Sequence, residues 1–224
     1  AHLKDAEVLI MGLSSDTLKL EQLSTISLAY MSLKDSSGFR QSNAKLLKLS
    51  EDIGVDRMLG YSHWDLAIFL QSHGIMDSAF YNYRRALASF EALPLDSTSQ
   101  SLKGRMLYNM ARVQDSYKDY LGGEISATGA IKIFDELNDD YRLYSSYNMM
   151  GVLANGMGDK EKSIASYNKA REYLMKSDRA DNAELLWRIQ NNIASIHLNS
   201  GDYLKSRQAY QELLDDKNLK NESP

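Results

Sequence analysis

The chain has 224 residues, and 26 Lys+Arg against 30 Asp+Glu give a formal net charge of −4. That balance argues against a broadly basic surface for nucleic acid or anionic membrane, which needs a cationic excess. Cysteine is absent, which removes disulfides, thiolate metal ligands and a cysteine nucleophile.

Apolar stretches such as Val8–Met11 and Leu66–Leu70 are far shorter than the roughly 18 residues of a bilayer span. The amino end does not read as a signal peptide. Only two prolines, Pro94 and Pro224, interrupt a chain that is otherwise free to be helical. Taken in order, Ala1–Leu13 reads as the last helix of an earlier hairpin. Five self-similar segments follow, starting at Leu20, Gly60, Gly104, Tyr144 and Trp187, with offsets of 40, 44, 40 and 43. The clearest pair is Ser145–Leu174 with Arg188–Leu214. Each places an apolar residue before a tiny one (Met150-Gly151; Ile193-Ala194), then Gly-Asp (Gly158-Asp159; Gly201-Asp202). A small residue (Ser163; Ser206) and Tyr (Tyr167; Tyr210) come next. The other copies are looser: Leu66-Ala67, Gly74, Ala79 and Tyr83; Met110-Ala111, Lys118-Asp119 and Ala127; Ile26-Ser27 and Lys34-Asp35.

This spacing predicts antiparallel helical hairpins. Tiny residues on facing stripes let two helices approach, and Leu, Met and Tyr fill the gaps between them. Gly at the turn can take the left-handed conformation that ends one helix, and the Asp beside it can cap the next. A single hairpin cannot bury its apolar faces, so neighbours must stack. Each helix should run about 15–20 residues. The expected organisation is a helix over 1–15, a repeat domain over 16–215 and a frayed polar tail over 216–224.

The pattern resembles the tetratricopeptide repeat from roughly Leu20 to Leu214. Tyr147, Met150, Gly151, Gly158, Ser163, Tyr167 and Ala170 carry the resemblance in the fourth segment. Ile193, Ala194, Gly201, Tyr203, Ser206 and Tyr210 carry it in the fifth. The period exceeds the family's usual 34 residues, and the Pro that normally closes each repeat is missing except at Pro94. The resemblance implies an all-α fold, a right-handed superhelical solenoid of about five antiparallel hairpins. Asp16–Gly54 with the segment that follows it, residues 59–87, is similar to the repeat-bearing sensor regions of Bacteroidetes signalling proteins. That similarity implies a sensor segment of a larger bacterial protein bearing a histidine kinase or DNA-binding output. It would be periplasmic, with the cytoplasm as the alternative.

No chemistry-bearing constellation stands out. His2, His63, His73 and His197 form no ligand pair at i, i+4, so no metal is expected. Gly156-Met157-Gly158 lacks the strand and third Gly of a dinucleotide loop, and it reads as a helix end. Gly60-Tyr61-Ser62-His63-Trp64 lacks the closing Gly of a nucleophile elbow. Asn138-Asp139-Asp140 reads as a capped turn, not a calcium loop. Met106, Met110, Met149, Met150 and Met157 read as packing. The expectation is a segment without catalysis and without a cofactor.

What remains is surface. In this family the first helix of each hairpin lines the inner side, and positions one, four, five, eight and eleven after each segment start share one helix face. The second segment places Tyr61, Trp64, Asp65, Ile68 and Gln71 there, and the third Arg105, Tyr108, Asn109, Arg112 and Asp115. From the fourth come Ser145, Asn148, Met149, Val152 and Asn155, and from the fifth Arg188, Asn191, Asn192, Ser195 and Leu198. Asn can donate to a backbone C=O and accept from an N–H, Tyr and Trp supply contact area, and Arg can fork onto a carboxylate. The expected ligand is therefore a peptide or protein. The bland reading is that Asn148 and Asn191 stitch neighbouring helices and Trp64 is core. A scaffold that self-associates into a homodimer is the alternative function.

Overall fold

The computed structural model describes residues 2–177 and 182–215, and these contain eleven helices and no strands. The tail expected over 216–224 lies outside them. The chain divides into two compact units, residues 1–106 and 107–224, with the division inside helix α6 (Ser97–Ser116).

The first unit holds α1 (His2–Met11), the hairpins α2/α3 (Asp16–Ser32, Ser36–Ile53) and α4/α5 (Asp56–Ser72, Met76–Glu91), and the start of α6. Leu20, Leu23 and Leu46 form one buried cluster, and Ile26, Tyr30, Phe39 and Phe69 another. Lys45 on α3 donates to the buried Glu7 of α1. The second unit holds the rest of α6, then α7 (Tyr120–Glu136), α8 (Asp140–Gly156), α9 (Lys160–Lys176), α10 (Asn182–Asn199) and α11 (Tyr203–Asp215). Its core runs through Ala111, Ala127, Met149, Met150 and Leu153, and through Tyr144, Tyr167, Ala170, Leu174, Ile189, Ile193 and Ile196. Lys162 of α9 bridges to Glu124 of α7 at 2.6 Å, tying the second helices of successive hairpins.

One device closes all five hairpins. Lys34, Gly74, Lys118, Gly158 and Gly201 each have φ between 57° and 80°. The following amide reaches back to a carbonyl five residues earlier at 2.9–3.0 Å, as in Asp159 N to Ala154 O. That geometry terminates a helix without stranding its last carbonyls. In four of the five turns the next residue is Asp. Asp35, Asp119, Asp159 and Asp202 accept hydrogen bonds from the amides of Gly38, Gly122, Lys162 and Lys205. Ile75, the exception, makes no side-chain cap. The same left-handed step joins α3 to α4 at Gly54 and α7 to α8 at Asn138, where Asp139 caps α8. Helices α2 to α10 run 16–20 residues, the length expected from the repeat.

Candidate functional site

In the second unit, α8 and α10, the first helices of successive hairpins, lie side by side. They enclose a depression of about 410 Å³ lined by Tyr144 and Asn148 from α8 and by Trp187, Arg188, Asn191 and Asn192 from α10. Four of these six belong to the inner-face set read from the sequence. Their helical spacing explains the convergence, since residues at i, i+1, i+4 and i+5 share a face. Asn148 and Asn191 make no hydrogen bond to any described residue, so they do not stitch the helices together. Their amides are open to a ligand. Arg188 is exposed and forms no ion pair with a described residue. Asn192 also lines the depression, and its side chain partly offsets the upward shift that burial gives the Tyr167 phenol on α9. Burial, with the nearby Asp115 carboxylate adding to it, pushes that phenol up to about 12, so it remains an O–H donor.

Tyr144 and Trp187 were outside the expected set. The missed signal is simple. Each precedes its Asn by four residues, so Tyr144 with Asn148 and Trp187 with Asn191 share a helix stripe. Trp187 is 45% exposed, an unusual state for so large an apolar ring.

The remaining inner-face residues do not join this depression. In the first unit, Trp64 is only 9% exposed, and the Arg105 guanidinium lies over its ring at 4.0 Å. Tyr61 stacks on Trp64 at 6.3 Å, and Phe90 meets both rings edge-on. The ring faces of Tyr61 and Trp64 and the Arg105 guanidinium therefore serve the protein's own packing, which corrects the expectation that Trp64 and Arg105 offer contact area to a ligand. A cation stacked on Trp gains about 0.5–2 kcal/mol by remaining there. Asp65 is half-buried, and burial pushes its carboxyl up to about 6. In the second unit Tyr108 packs against Ala111, Ala127 and Met149, and burial raises its phenol. Asn109 is half-buried, while Arg112 and Asn155 stand exposed.

A second depression, about 580 Å³, lies where Ile164 and Asn168 of α9 face His197 and Lys205. Within it Asp202 sits 3.0 Å from Lys205 and 4.0 Å from His197. Among the described residues no three His, Asp or Glu gather to hold a metal, and no helix is long and apolar enough to cross a membrane.

A tetratricopeptide repeat family model matches residues 144–173 and 188–215, the two hairpins that build the depression. No curated protein sequence matches the chain. Among solved structures, BtubC (BKLC) from P. vanneervenii superimposes with a TM-score of 0.79 at 18% identity, over 99% of this chain and 89% of that one. Aspartyl phosphate phosphatase F from Bacillus subtilis gives 0.69 at 16% identity, over 94% and 63%. MamA from Desulfovibrio magneticus RS-1 gives 0.64 at 11% identity, over 88% and 93%. Such identities establish a shared fold and nothing more. The fold class is thus an all-α, tetratricopeptide-like helical-repeat solenoid. The narrower similarity to Bacteroidetes sensor regions gains no support from these matches.

Proposed function

We propose that this chain is a non-catalytic module that binds an extended peptide, or a protein segment, in the depression between α8 and α10. The observation that carries the reading is the pair of open amides, Asn148 and Asn191. A half-buried amide without a partner loses hydration for no gain in the free protein, and a ligand's backbone C=O and N–H would replace that hydration. Trp187 and Tyr144 supply a rigid apolar wall, and Arg188 suits a carbonyl or carboxylate of the ligand. The similarity to sensor regions motivates a further step, in which occupancy is reported to an output domain of a larger signalling protein on the extracytoplasmic side.

The test is a random-peptide phage selection on the whole chain, followed by anisotropy titration of the selected peptides. Asn148→Ala and Asn191→Ala should each weaken binding about tenfold, near 1.4 kcal/mol. Unchanged affinity in both variants would remove the depression as the binding site. Self-association is the second reading, favoured by Leu121 and Ile125. They stand one turn apart on α7 at 71% and 75% exposure, a pairing more common at interfaces than on free surfaces. Light scattering of the wild type and of Leu121→Glu decides it: a dimer lost in the variant supports this reading, and a monomer throughout excludes it.

A further inference from the structure

We infer that a second copy of this chain docks on the depression between α9 and the α10/α11 turn, each protomer seating its Tyr203 ring in the depression of the other. This rests on the self-association reading, but it uses a surface that shares no residue with the peptide groove and none with Leu121 and Ile125.

The third hairpin supplies the template. Tyr120, Lys160 and Tyr203 each follow the Asp that caps the second helix of the third, fourth and fifth hairpins, so they hold equivalent positions. Tyr120 lays its ring against the end of α8, where a β-carbon on Gly156 would clash with three ring atoms. Glu124, one turn further along α7, bridges to Lys162. A ring and an ion pair thus close the junction between α7 and α8. At the next junction both are gone. Lys160 replaces Tyr120 and Ile164 replaces Glu124, and a depression of about 580 Å³ opens over Ile164, Ala165 and Ile196. Lys205, at the position of Lys162, turns to Asp202 instead.

The fifth hairpin shows the converse. Tyr203 is 69% exposed, and Leu204 beside it is exposed as well, whereas the equivalent Tyr120 is half-buried. One unit therefore carries a hollow without its ring and a ring without its seat, and Tyr203 follows the rim residue Asp202 directly in the chain. A two-fold pairing, in which the same patch serves both protomers, satisfies hollow and ring together. Aromatic rings seated in desolvated hollows are the strongest anchors of interfaces. The rim charges select a second copy over other occupants. Lys160 and Lys205 stand with Glu161 and Asp202 around the mouth, two cations and two carboxylates. A strongly acidic or basic ligand gains little from so balanced a rim. The same rim turned on itself sets Lys160 against Asp202, or Glu161 against Lys205, of the second copy.

The experiment is sedimentation velocity on the whole chain over a concentration series, with substitutions at exposed positions. The wild type should dimerise. Tyr203→Ala, which removes the ring, and Ala165→Trp, which fills the hollow, should each weaken the dimer about thirtyfold or more, the loss of a seated aromatic anchor. Lys160→Glu and Glu161→Lys should each self-associate more weakly than the wild type, because each rim then carries an excess of one sign, and a one-to-one mixture of the two should pair again. Circular dichroism unchanged in all four variants separates lost docking from lost folding. Asn148→Ala should dimerise like the wild type, so the peptide groove and this interface stand or fall separately. A wild type that stays monomeric overturns the inference, as does a dimer that survives both Tyr203→Ala and Ala165→Trp. A dimer kept by those variants and broken by Leu121→Glu puts the interface on α7, which overturns this inference and leaves self-association intact.

Discussion

The ring of Tyr167 lies so close against Gly151 that a β-carbon at position 151 would come within 2.8–2.9 Å of three ring atoms. This contact lets α8 and α9 approach. The Gly151 carbonyl accepts a hydrogen bond from the buried Ser163 hydroxyl at 2.7 Å, so the two helices are clamped at the same height.

Gly151→Ala should therefore destabilise the protein, although alanine is the better helix former. The propensity gain is about 1 kcal/mol, while forcing a methyl into a fully packed ring contact costs about 1–3 kcal/mol. Urea unfolding monitored by circular dichroism should show a lower midpoint at unchanged slope. A raised midpoint would mean that the ring yields freely.

Asp65 carries a penalty that pH can switch off. Its carboxyl titrates near 6 in the folded chain against 3.8 for the free group. Above pH 6 both states are ionised, and the folded one bears the full cost of burial. Between 6 and 4 the folded state takes up the proton first, so the penalty fades as pH falls. Asp65→Asn should raise the melting temperature at pH 7.5, and the gain should vanish near pH 4. A gain that is independent of pH would contradict this.

His63 works in the opposite direction. Asn82 directs its amide nitrogen to the Ser78 carbonyl at 2.8 Å, so its oxygen faces the ring and accepts from Nδ1 at 2.9 Å. That leaves Nε2 buried and unprotonated, without a partner among the described residues. Burial lowers the imidazole below its usual value. Below pH 6.5 the unfolded chain takes up a proton that the folded chain resists, so stability falls, by at most about 1.4 kcal/mol per pH unit. His63→Gln should flatten the loss of stability between pH 6.5 and 5 in urea titrations, and an identical slope would refute the assignment.

The two tryptophans report on different places. Trp64 lies under Arg105, while Trp187 lines the groove. Acrylamide should quench mainly Trp187, and selected peptides should shift the wild-type emission. In Trp187→Phe the residual emission should resist quencher and ignore peptide. A peptide-dependent shift surviving in that variant would place the ligand elsewhere.

The repeat register, the helix lengths and the hairpin turns were legible in the amino-acid order because their causes are local. A Gly-Asp pair can take the left-handed step and cap the next helix using only its own neighbours, so Gly158-Asp159 and Gly201-Asp202 announced their turns. Even the substitute Lys34-Asp35 and Lys118-Asp119 pairs did so. Helical spacing likewise brought Asn148, Asn191, Asn192 and Arg188 onto inner faces. Availability was another matter. Whether Trp64 offers its ring depends on Arg105, 41 positions away, and whether Asn148 is free depends on what α10 presents across the gap. Those outcomes are settled by desolvation and contact between helices distant in the chain, and only their packing decides which polar groups find partners and which are left for a ligand.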